Sequence, residues 1–166
     1  RVASHCALIA SLLIGWFVNP PFPFPLEDNL SVVDFVRLQE DAAHYLEGFP
    51  GNPLIATVWP LSVATKTTDY GYVSRPLNVI QASSQHAADL AKLDLDHRLD
   101  IVVLFSRGGS PPAFMLSVHL WRNLIARFND LHPQASGEEM TALGFRLQQR
   151  FEGGEQWVEI YLRNRR

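Results

Sequence analysis

The run LDIVVLF, residues 99–105, is the clearest strand signal in the sequence. Apart from one aspartate it is apolar and rich in β-branched residues, and the polar loop SRGGSPP follows it at 106–112. A short apolar run of this kind, bounded by turn residues, predicts a strand that is buried on both faces. The runs at 54–59 and 77–82 predict two further strands of the same sheet.

Helical patterns separate these strands. Apolar positions recur at helical spacing in residues 31–47, 84–97 and 113–129. In the first of these helices, Asn29 or Ser31 can serve as the N-cap. A further short helix is predicted near residues 136–139, where a serine can cap the first turn.

The C-terminal part changes character. Residues 145–151 and 156–162 are two runs that alternate around a Gly-Gly turn, which is typical of a β-hairpin. Together with the alternating strands and helices, this predicts an α/β fold, a three-layer sandwich with a mixed, mainly parallel sheet and a C-terminal antiparallel β-hairpin.

The N-terminal segment is uniformly apolar. Residues 6–18, CALIASLLIGWFV, carry no charge, and a proline-rich stretch follows at 20–25. Three interpretations fit: the end of a transmembrane span, a signal or anchor segment, or a buried core helix. We therefore divide the chain into an apolar helix over 1–19, a spacer over 20–28 and a single α/β domain over 29–166.

Composition excludes several classes of protein. A net charge of −3 without a basic stripe argues against a nucleic-acid partner. The single cysteine, Cys6, excludes an internal disulfide and a zinc knuckle. The six histidines form neither an HExxH motif nor an i,i+4 pair, so a zinc site is not expected.

The segment DLDHRLD, residues 94–100, concentrates three carboxylates within seven residues. Asp94, Asp96 and Asp100 could hold Ca²⁺, which prefers oxygen ligands. A metal of this kind could polarise the carbonyl of an ester or lactone, such as an acyl-homoserine lactone. The alternative is a solvated helix end without a ligand.

The loop after the central strand is a second candidate site. Arg107 could bind a phosphate or carboxylate, and Ser106 could act as a nucleophile only with a nearby base. His97 is a further catalytic candidate. A turn without a catalytic role is the alternative.

A third candidate site is aromatic. Its residues could stack on a sugar and hydrogen-bond to it: Trp59, Tyr70, Tyr72 and Arg75. The alternative is a loop that only packs on the sheet.

The order of several segments resembles the C-terminal region of bacterial membrane glycosyltransferases of the protein-mannosyltransferase-like and aminoarabinose-transferase-like kind. After the apolar helix, the segments are PPFPFPLEDNL (20–30), DFVRLQEDAAHYLE (34–47), IATVWPL (55–61), DYGYVSRPLNV (69–79), LFSR (104–107) and GGEQWVEIY (153–161).

The resemblance implies a location and a role. The chain would lie at the bacterial inner membrane, held there by its N-terminal apolar segment, with the domain facing the periplasm or the outside. It would recognise the acceptor glycan or a lipid-linked sugar, without transferring sugar by itself. The family's catalytic motif has no matching position in this chain, so the resemblance assigns no catalytic residue. A small calcium-dependent hydrolase and a carbohydrate-binding module are the two alternatives.

Overall fold

The computed structural model describes residues 2–17, 29–106, 117–120, 122–123, 134–154 and 156–164. The helices of this part of the chain are α1 (Val2–Phe17), α2 (Ser31–Glu47), α3 (Leu61–Ala64), α4 (Ala87–Leu93) and α5 (Gly137–Ala142). The strands are β1 (Ile55–Thr57), β2 (Val79–Gln81), β3 (Ile101–Phe105), β4 (Phe145–Gly153) and β5 (Gln156–Arg163).

The strands form one five-stranded sheet in the order β2-β1-β3-β5-β4. Strand β1 pairs in parallel with β2 and with β3, with Ile55 opposite both Val79 and Ile101. On its other side β3 pairs antiparallel with β5, where Val103 lies opposite Ile160. The predicted α/β class, the mixed sheet and the C-terminal hairpin are therefore confirmed.

The core lies around the two inner strands. Every residue of β1 and β3 is buried, as expected for strands covered on both faces. A buried hydroxyl, Thr57 Oγ1, donates to the carbonyl oxygen of Val103 at 3.1 Å. The Gln85 side chain pairs with both backbone groups of Phe105: its Nε2 donates to the oxygen at 3.0 Å, and its Oε1 accepts from the nitrogen at 2.7 Å. The Gln85 side chain thus satisfies both backbone groups of the last residue of β3.

The residues cluster into two compact units, one of 1–36, 106–131 and 153–156, the other of 37–105, 132–152 and 157–166. The second unit contains most of the sheet. The first contains α1, and residues 29–36 group with it, although their sequence predicts that they belong to the α/β domain.

In the first unit, α1 is exposed along its whole described length. Its larger apolar side chains are between 48% and 71% exposed: Leu8, Ile9, Leu12, Leu13, Ile14, Trp16 and Phe17. The interpretation of this segment as a buried core helix is therefore wrong. Among the described helices, none combines the length and the apolar character needed to cross a membrane.

One helix of the structure was not predicted, and two predicted segments are described only in part or not at all. Helix α3 was not predicted, because four residues are too short to show a helical period. Of the predicted helix over 113–129, only 117–120 and 122–123 are described, and Arg122 N donates there to Val118 O at 2.9 Å, as in a helix. The proline-rich stretch 20–25 lies outside the described residues.

Candidate functional site

An open groove of about 450 Å³ lies beside β5 in the second unit. Its lining combines aromatic, carboxylate, amide and hydroxyl groups: Gln134, Ser136 and Thr141 from the segment that contains α5, and Leu147, Trp157, Glu159 and Tyr161 from the hairpin. Trp157, Glu159 and Tyr161 are two residues apart on one strand, and alternate side chains of a strand point to the same face. The strand period therefore brings these three side chains together.

Glu159 is the buried carboxylate of this groove, only 8% exposed. One of its oxygens pairs with the Arg150 guanidinium, and the other accepts a hydrogen bond from the Tyr161 hydroxyl at 2.7 Å. Burial, followed by this hydrogen bond to Glu159, raises the pKa of Tyr161. Tyr161 therefore keeps its proton at neutral pH and acts as a donor.

Arg150 connects the groove to the hairpin surface. Its Nε pairs with Glu152, and its guanidinium lies 5.4 Å from the ring centroid of Trp157, within the range of a cation–π contact. Burial alone would lower the pKa of Arg150, but the hydrogen bonds to Glu152 and Glu159 outweigh that effect and raise it. The guanidinium is thus held by two carboxylates and one aromatic ring.

The opposite wall is fixed by one hydrogen bond to the end of β3 and one to Gln85. Gln134 Nε2 donates to Phe105 O at 2.8 Å, and Ala135 N donates to Gln85 O at 2.8 Å. Ser136, the predicted cap, then begins α5 through a capping box, in which its hydroxyl accepts from Glu139 N and the Glu139 carboxylate accepts from Ser136 N. Both walls are therefore held by bonds that do not involve a ligand.

Two of the three aspartates in residues 94–100 have structural partners. Asp94 is buried; one oxygen accepts from Leu99 N at 3.0 Å, and the other pairs with Arg163. Asp100 Oδ2 accepts from Leu54 N at 2.9 Å, at the start of β1, and Asp96 is exposed. Within the described part of the chain, no three His, Cys, Asp or Glu side chains are grouped as a metal ion would need. The geometry gives the predicted calcium site no support.

The residues predicted around the loop after β3 are not assembled for catalysis in the part that the structure describes. The Ser106 hydroxyl is buried and donates to Gln156 Oε1 at 2.6 Å. His97 lies in an exposed turn with a φ of 52°, where its Nδ1 is 3.7 Å from Asp94 Oδ2. Arg107 lies outside the described residues. The hydrolase alternative therefore has no observation in its favour.

The predicted aromatic site is divided between exposed and structural residues. Trp59 and Tyr70 are 54% and 60% exposed. Tyr72 is half-buried, and burial, with a smaller effect of the Glu40 charge, raises its pKa. Arg75 Nη2 donates to the carbonyl oxygen of Glu47 at 3.1 Å, where it satisfies the C-terminal end of α2. Sugar binding by Trp59 and Tyr70 stays a prediction.

The groove residues were missed in the sequence analysis. The run from 156 to 162 was predicted as a strand, but its polar and aromatic face, which alternates as Trp157, Glu159 and Tyr161, was not considered as a site. The alternation was a usable signal. The pairing of Glu159 with Arg150, and the approach of Gln134 and Ser136, depend on tertiary structure.

Comparisons with protein-family models, with curated proteins and with solved structures find no match to this chain.

Proposed function

We propose that the chain is an accessory extracytoplasmic domain of a membrane glycosyltransferase that uses polyprenyl-phosphate sugars. In this proposal α1 lies in the bacterial inner membrane, and the α/β part faces the periplasm or the outside, where it recognises the acceptor or a glycan. The domain does not transfer sugar alone. The observation that carries the proposal is the exposed apolar surface of α1, and the resemblance of the sequence segments supplies the enzyme class.

The physical argument starts from the cost of apolar surface in water. Helix α1 has sixteen residues without an aspartate, glutamate, lysine or arginine, and its described side chains are exposed on every face. A helix that is apolar all round needs an apolar environment on all sides. At 1.5 Å per residue it is about 24 Å long, which is most of the hydrocarbon thickness of a bilayer. Lipid fits this surface better than water does.

The end of α1 is attached firmly to the start of α2. Asn29 Nδ2 donates to Gly15 O at 3.1 Å, and Leu30 N donates to Trp16 O at 3.1 Å. The Asn29 Oδ1 also accepts from Ser31 N and Ser31 Oγ, at 2.9 and 2.7 Å. One buried amide thus satisfies groups at the end of one helix and the start of the next. Such a joint would hold the first turn of α2 at a fixed height above the membrane.

Cys6 provides the test of the membrane part, because it is the single cysteine and is exposed on α1. The chain is labelled at Cys6 with a polarity-sensitive fluorophore and mixed with vesicles of phosphatidylethanolamine and phosphatidylglycerol. We expect the chain to float with the vesicles and the emission to shift to the blue. The matched control replaces the exposed Leu12 and Leu13 by lysine, which should prevent both effects. A wild-type chain that stays in the aqueous fraction would contradict the proposal.

The proposed role in the glycosyltransferase reaction is tested in a longer membrane protein that contains this chain. Deleting residues 29–166 from that protein should abolish transfer to the acceptor and leave binding of the polyprenyl-phosphate sugar in place. Transfer that continues at the original rate would show that the domain has no role in acceptor recognition.

A further inference from the structure

From the groove beside β5 we infer a binding site for an uncharged saccharide, with Trp157, Glu159 and Tyr161 on one wall and Gln134, Ser136 and Thr141 on the other. The inference rests on the proposed role in glycan recognition and gives that role a place and a ligand class. It differs from the site predicted at Trp59, Tyr70, Tyr72 and Arg75.

The groove offers the apolar contact that a sugar ring needs. Its volume of about 450 Å³ lies within the usual range for small-ligand sites. The ring of Trp157 is half-buried, and the half-exposed Leu147 adjoins it. Aromatic side chains bind ligands that are apolar on one face and polar at the edge, and a pyranose has that character.

The polar groups match hydroxyl groups, which both donate and accept. A carboxylate has about four lone-pair positions, and Arg150 and the Tyr161 hydroxyl occupy one each on Glu159, so the carboxylate can accept further bonds. The Ser136 hydroxyl accepts from Glu139 N and keeps its own proton to donate.

The remaining polar groups add acceptors. Thr141 Oγ1 donates to Gly137 O and keeps its lone pairs, and Gln134 donates through Nε2 and keeps its carbonyl oxygen. Donors and acceptors therefore line the same groove.

Charge decides against an anionic ligand. None of the described lining residues is a lysine or an arginine, and the nearby Arg150 is already paired with Glu152 and Glu159. A phosphate or an acidic sugar would bring a second negative charge next to the buried Glu159, and no unpaired cation of the described lining would balance the charge of the ligand. Because the existing bonds hold these side chains in place, an uncharged sugar can bind with little reordering of the protein.

The test follows the ¹⁵N-labelled full chain by NMR in zwitterionic bicelles, since alkyl-glycoside detergents could occupy the groove. The probes are the methyl pyranosides of glucose, galactose and mannose, with methyl glucuronide and methyl glucosaminide as charged comparisons, each titrated to about 50 mM, which detects Kd values in the millimolar range. We expect at least one uncharged probe to shift the Trp157 indole signal and the amides of 134–141 and 157–161. Glucuronide should bind more weakly.

Variants identify the site. Trp157→Ala should weaken binding by at least about tenfold, as for a central aromatic contact. Thr141→Val, a change of similar shape at an exposed position, should weaken it without affecting the fold. Leu95→Ala removes an exposed apolar side chain outside the groove lining and should leave binding unchanged.

Three results would overturn the inference: no shift with any uncharged probe, shifts that map to Trp59 and Tyr70, or binding that survives both Trp157→Ala and Thr141→Val. The emission of the Cys6 fluorophore in the same bicelles tests the membrane location independently of sugar binding. Loss of sugar binding with Cys6 still in lipid would reject the groove alone, and sugar binding with Cys6 in water would reject the membrane location alone.

Discussion

Asp94 illustrates how burial determines the role of a carboxylate. Both of its oxygens are engaged, one by the Leu99 amide and one by Arg163, whose side chain is only 14% exposed. Arg163 Nε also donates to Leu99 O at 2.5 Å, and its guanidinium lies 4.3 Å from the ring centroid of Phe145. Asp94 therefore neutralises a cation that joins the end of β5 to the start of β3.

Removal of this carboxylate should destabilise the fold through the loss of an ion pair, with or without Ca²⁺ in the buffer. Asp94→Ala leaves Arg163 partly buried without its counterion, so we expect a loss of about 3 kcal/mol in the free energy of unfolding. Asp96→Ala, at an exposed position, should change it by less than about 0.5 kcal/mol. Urea unfolding measures both variants. The predicted metal site would instead be supported if Ca²⁺ raised the urea midpoint of the wild type and did not raise the midpoint of either variant.

At the scale of an element, the C-terminal end of α2 is fixed by one carboxylate. Glu47 Oε1 accepts from Ser74 N at 2.6 Å, from Ser74 Oγ at 2.7 Å and from Arg75 N at 3.2 Å. The hydrogen bond from the Ser74 hydroxyl is the largest cause of a lowered pKa of Glu47; burial opposes it, and the backbone bonds support it. The ionised form is therefore the one that holds the turn after Val73 against the helix.

This bond should make stability depend on pH. Because the pKa of Glu47 is lower in the folded chain than its usual 4.5, its contribution is complete above that value and is lost as the pH falls through the folded pKa. Glu47→Gln should destabilise the chain by about 1 kcal/mol at neutral pH, and the difference from wild type should vanish in acid. Unfolding midpoints measured across this pH range test the expectation, with Glu138→Gln, at an exposed position of α5, as the control. An equal difference at every pH would contradict the expectation.

Most elements could be predicted because their signals are local. The apolar run at 99–105, the helical spacing at 31–47 and the alternation around the Gly-Gly turn each predicted an element that the structure contains. The features that were not predicted depend on tertiary contacts. Glu47 ends α2 through Ser74, and Gln85 satisfies the last residue of β3 through its side chain, and neither contact has a local pattern.

At the scale of the whole molecule, the groove shows why the candidate site was harder to predict than the fold. Glu159 depends on Arg150 from the neighbouring strand, and Gln134 reaches the end of β3, twenty-nine residues earlier in the sequence. The structural role of Asp94 could not be predicted for the same reason, because its partner Arg163 is sixty-nine residues away in the sequence. Spacing along the chain reports which side chains share a face. It does not report which partner satisfies a buried charge.

The sheet order predicts how stability is distributed over the molecule. Strand β3 is central and buried at every residue, whereas β4 is an edge strand whose residues are mostly exposed. Backbone amides in a buried central strand exchange only through large opening motions, while an edge strand opens locally. Hydrogen exchange followed by mass spectrometry should therefore show the slowest exchange in Ile101–Phe105 and faster exchange in Phe145–Gly153. Gln85→Ala, which removes two buried bonds to Phe105, should accelerate exchange at the end of β3 before it does so at Ile101. Equal rates in β3 and β4 would mean that the sheet opens as one unit, and would reject this distribution.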